Sequence, residues 1–232
     1  MRSVSGGSGA GVSRRRALFL GLGGVAAMTV AGRLRAQSPQ GPLTPPPPAL
    51  FEVRALGNVI GRHQVQFRTA GDGFVADSAV DIDAKVLGVR LFSYTQKTSE
   101  TWAGGRLQSF TSEGDDDGKS FAAKGHATQG GFVIETGKGR VTAPADIMLA
   151  TYWTPLALGR DQLINPKKGN LKPQTVRPAG QTTVVVGDTE RPANRYDITG
   201  VLDGAVFYDL DEHWVGAAFD RKGATIEYRL VA

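Results

Sequence analysis

The sequence predicts an all-β protein: a single antiparallel meander of roughly a dozen strands, curled into a barrel, half-barrel or sandwich, with one short helical segment. Two observations support this prediction. Apolar and polar residues alternate with a period of two, as from Val80 to Val86, which is typical of strands with one buried face. Turn signals rich in glycine and aspartate, such as Gly71-Asp72-Gly73, separate these runs.

The same alternation recurs toward the C-terminus, in residues 195–199 and again in residues 226–230. Only the stretch from Asp146 to Leu158 favours a short helix, and Pro144 and Pro155 bound it. Strands therefore account for nearly all of the predicted domain.

The first 36 residues have the features of an export signal. Arginines precede an uncharged stretch of 16 residues, 17–32, which is shorter than the ~20 needed to span a bilayer. A small-residue exit at Leu34-Arg35-Ala36 predicts cleavage there. The spacing to the following Phe and Leu fits a twin-arginine signal best when Arg15-Arg16 is the pair. The residues of this predicted signal are Arg14, Arg15, Arg16, Phe19 and Leu20.

A twin-arginine signal predicts a periplasmic protein whose partner during export is the twin-arginine translocase. An ordinary secretory signal and an uncleaved anchor are the alternatives. Residues 37–50 contain four consecutive prolines and predict an extended linker. Residues 51–232 then predict a single β domain, with no transmembrane segment after cleavage.

The charge distribution argues against a nucleic-acid partner. The chain has 27 Lys and Arg against 22 Asp and Glu, a formal net charge of +5. Six arginines and no acidic residue lie in the first 36 positions, so the remainder has 21 basic and 22 acidic residues, a net charge of −1. The absence of cysteine excludes iron–sulfur clusters, thiolate zinc, c-type haem attachment and disulfides. We therefore expect no cofactor.

Two patterns that resemble metal sites have simpler interpretations. The acidic run from Glu113 to Gly118 resembles the start of a calcium loop, but its twelfth position is Lys124 instead of a bidentate acid. A charged hairpin turn explains the run better, because Asp-Gly is a favoured turn pair. The three histidines, His63, His126 and His213, show no ligand spacing, so the sequence predicts no metal site.

Aromatic and polar residues mixed on the same strands form the candidate ligand site. Glu100 and Trp102 are expected on one face of a strand, with Arg106 beyond a tight turn. Glu100 and Arg106 then form either a cross-strand ion pair or the polar mouth of a cavity walled by Trp102. The candidate ligand-binding residues are Glu100, Trp102, Arg106, Trp153, Tyr208, Trp214 and His63. The sequence has no serine-nucleophile elbow and predicts no catalytic residue.

Seven short motifs follow one another along the chain. They are Gly57-Asn58-x-Ile60-Gly61-x-His63, Glu100-x-Trp102-x-x-Gly105-Arg106-Leu107, Tyr152-Trp153, Arg195-Tyr196-x-Ile198-x-Gly200, Tyr208-Asp209, Trp214-Val215 and Ile226-x-Tyr228-x-Leu230. Their order resembles that of a family of uncharacterised bacterial exported β-proteins. The resemblance covers most of the chain from Phe51 onward and implies an export signal and a β-rich domain. It implies no established activity and no catalytic residues.

Three functional hypotheses follow. The leading one is a non-enzymatic periplasmic domain whose concave, aromatic-lined face binds an apolar or amphipathic small molecule or an envelope protein. The first alternative is an envelope interaction or structural protein that uses an exposed sheet edge. The second is a hydrolase-type enzyme built from dispersed residues, which needs at least two of its candidates in one pocket. Those candidates are Glu100, Arg106, His63 and Asp209.

Overall fold

The computed structural model describes residues 43–86, 89–137, 139–221 and 223–231, which form fifteen β-strands and one 3₁₀ helix. The predicted export signal, residues 1–36, lies outside this part of the chain. The elements are β1 (Ala49–Ala55), β2 (Asn58–Ala70), β3 (Gly73–Val86), β4 (Val89–Ala103), β5 (Arg106–Asp116), β6 (Lys119–Thr128), β7 (Gly131–Thr136), β8 (Gly139–Ala143), the 3₁₀ helix η1 (Pro155–Gly159), β9 (Gln162–Ile164), β10 (Leu171–Pro173), β11 (Thr175–Val186), β12 (Thr189–Thr199), β13 (Gly204–Tyr208), β14 (Trp214–Arg221) and β15 (Ala224–Leu230).

Thirteen of these strands form one antiparallel sheet in the order β11-β12-β13-β14-β15-β1-β2-β3-β4-β5-β6-β7-β8. Each strand pairs with its sequence neighbour except where β15 pairs with β1, which joins the C-terminal hairpins to the N-terminal meander. The sheet curls strongly. Five strands separate β5 from β14 within the sheet, and yet Asp116 of β5 forms an ion pair with Arg221 of β14. It does not close, since β8 and β11 are its two edges. The predicted all-β meander is confirmed.

The inner face of this curled sheet carries the hydrophobic core. On β3, the side chains of Val80, Ile82 and Ala84 are buried, whereas the alternate residues Asp81 and Lys85 are exposed and Asp83 is half-buried. The period of two in the sequence therefore reports directly which residues face inward. Burial of such alternate apolar side chains from thirteen strands supplies the driving force that keeps the sheet curled.

A long connection, the 144–174 segment, leaves the sheet after β8 and packs against its inner face. Leu149, Leu163 and Ile164 of this segment are fully buried in the core. The helix expected at 146–158 is wrong in extent: only η1 is helical, and it starts at Pro155 with the Thr154 side chain as its N-cap. Proline is tolerated only in the first turn of a helix, so it limits the helix on its N-terminal side.

The acidic run predicted to form a turn connects β5 to β6. Asp117 and Gly118 both have positive φ angles, +56° and +79°, as in a tight hairpin turn. The Asp115 carboxylate accepts a hydrogen bond of 2.6 Å from the Gly118 backbone N–H. The hairpin interpretation of this run is therefore confirmed.

Packing of the domain begins before residue 51. Leu43 contacts the main core, and β1 starts at Ala49, so the last part of the predicted 37–50 linker is joined to the domain. At the sheet edges, β8 has five residues, and β11 contains Pro178 next to a register shift. A short strand and a proline-containing, irregular strand are features that discourage strand addition. Among the described residues, no helix is long and apolar enough to cross a membrane.

We predict that Gly169→Ala destabilises the domain because the 144–174 segment approaches β7 closely at this residue. Gly169 has φ +63°, and a Cβ there would lie 2.3 Å from Thr136 Cγ2. The matched control is Gly180→Ala, where φ is +83° but nothing lies within 4 Å of the added Cβ. Urea denaturation should show Gly169→Ala to be less stable than Gly180→Ala by about 1–3 kcal/mol. Equal stabilities would contradict the close packing of the segment.

Candidate ligand-binding site

The carboxylate of Glu100, on the inner face of β4, is buried among three hydrogen-bond donors. The Trp102 indole Nε1 donates to Oε2 at 3.2 Å, and the Trp153 indole Nε1 donates to Oε1 at 3.1 Å. The Thr151 hydroxyl donates to Oε1 at 2.8 Å. Trp102 lies on the same strand, whereas Thr151 and Trp153 belong to the 144–174 segment. This carboxylate therefore joins the segment to the sheet.

Aromatic rings enclose the Glu100 carboxylate. Trp102 and Trp153 meet edge to face with ring centroids 5.5 Å apart, and Trp102 stacks on Phe74 at 6.4 Å. Trp153 also contacts Phe67 edge-on at 5.3 Å. Both indole N–H groups point at the carboxylate, so each buried tryptophan has a partner for its only polar atom. This arrangement confirms that Glu100 and Trp102 share one face.

Burial raises the pKa of Glu100 to about 7, and the hydrogen bonds from Thr151, Trp153 and Trp102 limit the rise. Desolvation disfavours the charged carboxylate, whereas donors that point at it favour the charge. The group is therefore close to half ionised at neutral pH.

His63 and Trp214 lie together on another part of the inner face. The His63 Nε2 is 2.7 Å from the Ser78 hydroxyl, and its ring meets Trp214 edge to face at 5.3 Å and Tyr228 at 5.6 Å. Burial lowers the pKa of His63 to about 4, so the imidazole is neutral at neutral pH. Its Nδ1 is buried and has no hydrogen-bond partner among the described residues.

A cavity of about 370 Å³ borders this histidine, between the inner faces of β2, β3, β4, β14 and β15 and the 144–174 segment. Its volume lies within the ~300–1,000 Å³ range of small-molecule sites. The apolar part of its wall includes Val80, Ile82, Phe92 and Ile226. The polar side chains on its wall include His63, Ser78, Tyr94, Gln96, Thr98 and Thr151.

Most polar groups on the β4 side of the cavity are hydrogen-bonded to one another. The Tyr94 hydroxyl donates to Gln96 Oε1 at 2.7 Å, and Gln96 Nε2 donates to the Ser112 hydroxyl at 3.0 Å. The Ser112 hydroxyl is 3.2 Å from that of Thr98. These β4 and β5 side chains thus satisfy one another, whereas His63 Nδ1 on the β2 side of the cavity has no partner among the described residues.

A cluster of charges lies at one end of the cavity, where its wall reaches the surface. Both Lys167 and Arg221 line the cavity, and both form ion pairs with Asp116. The Arg221 guanidinium also lies over the Phe92 ring at 4.7 Å and the Tyr94 ring at 5.3 Å. Partial burial raises the pKa of Asp116, but hydrogen bonds and the positive charges of Lys167 and Arg221 hold that pKa below its usual value.

Larger depressions lie elsewhere over strands β2 to β7 but are more open. The largest two have volumes of about 800 and 900 Å³. Exposed polar side chains such as Gln64, Lys97 and Glu113 line both of them. Their greater exposure to solvent makes the more sheltered cavity beside His63 the better candidate for an apolar or amphipathic ligand.

The other predicted site residues have separate positions. Tyr208 is buried, and its hydroxyl donates to the Tyr152 carbonyl at 2.7 Å, so it holds the 144–174 segment instead of facing the cavity. Arg106 is exposed beside the β4–β5 turn and lies opposite Ala103, whereas Glu100 lies opposite Phe110. The cross-strand pair between Glu100 and Arg106 is therefore wrong, because the register separates them.

The four candidates for a dispersed enzyme site do not meet in the described part of the chain. Glu100, His63 and Arg106 have the separate environments given above. Asp209 forms a turn in which its Oδ1 accepts the backbone N–H groups of Asp211 at 3.0 Å and His213 at 2.8 Å. No hydrogen bond among the described residues joins two of the four candidates, so the condition set for this hypothesis is not met.

Asp209, Asp211 and His213 have one potential ligand atom each, all within 4.8 Å of one another. The turn and the 3.4 Å contact between His213 Nδ1 and Asp209 Oδ2 explain this grouping without a metal ion. Asp211 is also exposed.

Sequence reasoning missed the charged end of the cavity. Asp116 belongs to the acidic run predicted to form a turn, and Arg221 ends β14, in which the sequence motif covers only Trp214 and Val215. The period-two pattern could have found both, because Phe110, Ser112, Gly114 and Asp116 alternate, as do Ala217, Phe219 and Arg221. Lys167 lies in the irregular 144–174 segment, where no period indicates its direction.

The fold and this cavity together define a barrel-like β-protein with a partly open, partly polar interior. The family model for a domain of unknown function, DUF6134, matches residues 51–231, and the chain belongs to this family. The expectation of an uncharacterised β-rich family is therefore confirmed. A search of the curated proteins gave no match.

One solved structure shows a similar fold. It is the crystal structure of a β-barrel-like protein of domain of unknown function DUF1849 from Brucella abortus, with a TM-score of 0.57 and 11% sequence identity. The match covers 79% of this chain and 94% of that chain. At this identity the similarity concerns the fold alone.

We predict that Glu100 makes the stability of the domain depend on pH. Its folded-state pKa of about 7 lies above the ordinary value of 4.5, so folding favours the protonated form. This contribution is complete below about pH 4.5 and is lost as the pH rises through 7, on the order of 3 kcal/mol in total. Burial of His63, which lowers its pKa from 6.5 to about 4, gives the wild type and Glu100→Gln the same opposite trend over part of this range. Urea denaturation from about pH 4.5 to 8 should therefore show the loss as a fall in the unfolding free energy of the wild type relative to that of Glu100→Gln.

The control for this experiment is Glu113→Gln, which replaces an exposed carboxylate on the neighbouring strand. It should keep the wild-type pH profile. If Glu100→Gln also keeps the wild-type profile, Glu100 does not titrate as its burial requires.

Proposed function

We propose that the domain is an exported, non-enzymatic binding protein that holds an amphipathic small molecule in the cavity beside His63. The single observation that carries this proposal is a partly open cavity of about 370 Å³ with both an apolar and a polar wall. The cavity accounts for two of the predicted ligand residues, His63 and Trp214, and for the aromatic character expected of the concave face.

The composition of the wall favours an amphiphile over a fully polar ligand. Val80, Ile82 and Phe92 offer apolar contact on β3 and β4, and Ile226 faces them from β15. The polar side chains beside them on β4 are satisfied within the protein, so an apolar chain does not need to break strong hydrogen bonds between those groups and water. Burial of apolar ligand surface would then supply most of the binding free energy.

The expected occupant would be retained during purification. Extraction of the exported protein with organic solvent, followed by mass spectrometry, should yield an amphipathic small molecule in near-stoichiometric amount. The uncharged fluorophore N-phenylnaphthylamine should bind the folded protein once its ligand has been removed, and it should fluoresce more strongly in the apolar cavity. Retention of no molecule, together with no fluorophore binding, would contradict the proposal.

We predict that Val80→Phe weakens fluorophore binding at least about tenfold, because the added ring occupies the cavity. The matched control is Ala79→Phe. Ala79 is the next residue on β3, is exposed and does not line this cavity. Fluorescence titration should show near wild-type binding for the control. Equal weakening by both substitutions, or by neither, would indicate that the fluorophore binds elsewhere.

We propose export through the twin-arginine route on the basis of the arginine-rich N-terminus. Replacing both Arg15 and Arg16 by lysine should leave the protein in the cytoplasm of a bacterium that carries the twin-arginine translocase. The control replaces Arg33 and Arg35 by lysine, which keeps the charge of the same segment and leaves the pair intact. Cell fractionation should find only the control in the periplasm. Periplasmic accumulation of both variants would contradict this route.

A further inference from the structure

We propose that the cavity takes an anionic amphiphile, whose acidic headgroup binds Arg221 and Lys167 and whose apolar chain lies among Val80, Ile82 and Ile226. This inference rests on the proposed function and specifies its ligand class. A carboxylate on an alkyl chain is the simplest member of that class.

Among the described residues, one carboxylate is paired with the two cations at this end of the cavity. Arg221 and Lys167 share the carboxylate of Asp116. Two carboxylates would be needed to neutralise both cations. Asp220 is the other acidic residue along this part of the wall, but it is exposed and its Oδ1 accepts the Thr225 hydroxyl at 3.0 Å. An acidic headgroup would supply the second negative charge near the two cations.

Arg221 also has a donor left over. Its Nη2 donates to Asp116, but its Nε is buried and has no hydrogen-bond partner among the described residues. A buried N–H without an acceptor is unfavourable, so a small rotation of the guanidinium that brings Nε to a ligand oxygen would be favoured. The guanidinium geometry suits a carboxylate that binds two N–H groups at once.

The two cations are held in place before any ligand arrives. The Phe92 and Tyr94 rings lie against the Arg221 guanidinium, and the Lys167 ammonium lies 5.8 Å from the centre of the Phe121 ring. Their side chains are about one-third exposed, at 31% for Lys167 and 32% for Arg221, so a headgroup can reach them. Because the positions are fixed by the protein, little side-chain entropy is lost on binding.

The two cations lie next to the apolar wall of the cavity. Phe92 touches Arg221 and also lines the cavity, so the charged end is continuous with the apolar wall. An amphiphile bound with its headgroup at Arg221 therefore directs its chain inward toward Val80 and Ile82. The opposite orientation would bury a charge near the neutral His63 without a counter-ion.

The test compares three twelve-carbon ligands that differ only in the headgroup: dodecanoate, dodecanol and dodecyltrimethylammonium. Each is used below its micelle concentration to displace N-phenylnaphthylamine from the extracted protein. We expect dodecanoate to displace the fluorophore at about tenfold lower concentration than dodecanol, with dodecyltrimethylammonium the weakest. Equal potency of the acid and the alcohol, or preference for the cation, would overturn the anionic headgroup while leaving the cavity proposal intact.

Two substitutions assign the preference to the ion pairs. Arg221→Gln should reduce the potency of dodecanoate to that of dodecanol. The control is Arg68→Gln, because Arg68 forms an exposed ion pair with Asp77 away from the cavity. Asp116→Asn removes the competing carboxylate and should strengthen dodecanoate binding several-fold, a gain that misfolding cannot produce. A loss of preference in Arg68→Gln as well, or weaker dodecanoate binding in Asp116→Asn, would contradict the proposal. If none of the three ligands displaces the fluorophore, the proposed function fails as well.

Discussion

The covering of the inner face of this domain depends on the hydrogen bonds to the buried Glu100 carboxylate. A sheet of thirteen strands that curls without closing leaves its aromatic inner face in need of a cover. The 144–174 segment provides that cover, and Thr151 and Trp153 attach it to Glu100 on β4. Without the acceptor, two buried indole N–H groups would lack a partner, at a cost of about 1–3 kcal/mol each. The three donors offset much of the cost of burying the carboxyl group itself.

The inner face divides into a densely packed part and a part with space. Near Glu100, large rings from Phe67, Phe74 and the two tryptophans fill the volume completely enough to exclude water from the carboxylate. Next along β3 and β4, smaller side chains such as Ser78 and Thr98 replace them, before the Tyr94 and Phe92 rings follow on β4. The cavity begins at these smaller side chains. Thr151 belongs to both parts, since its hydroxyl binds Glu100 and its side chain lines the cavity.

The fold could be predicted from the sequence because each strand carries its own signal. Residues 80–86 and 226–230 show a period of two, and turn pairs such as Asp117-Gly118 end the strands where the structure ends them. The position of the 144–174 segment could not be predicted, because an irregular connection has no period and is placed by contacts with distant strands. The partners of Glu100 show this limit. Trp102 was associated with it through strand alternation, whereas Thr151 and Trp153, more than fifty residues away, were found only in the folded chain.

Net charge is a poor guide to the partner of such a protein, because the charges that matter are few and partly removed from water. After the first 36 residues the chain is nearly neutral, at −1. Most of its ion pairs are exposed and contribute little, as with Arg68 and Asp77, since water and salt screen them. The charges of Lys167, Arg221 and Asp116 lie against aromatic rings at the end of an apolar cavity, where the lower dielectric constant strengthens each interaction. The proposed ligand class therefore rests on the two cations that share the Asp116 carboxylate, and not on the net charge of the whole chain.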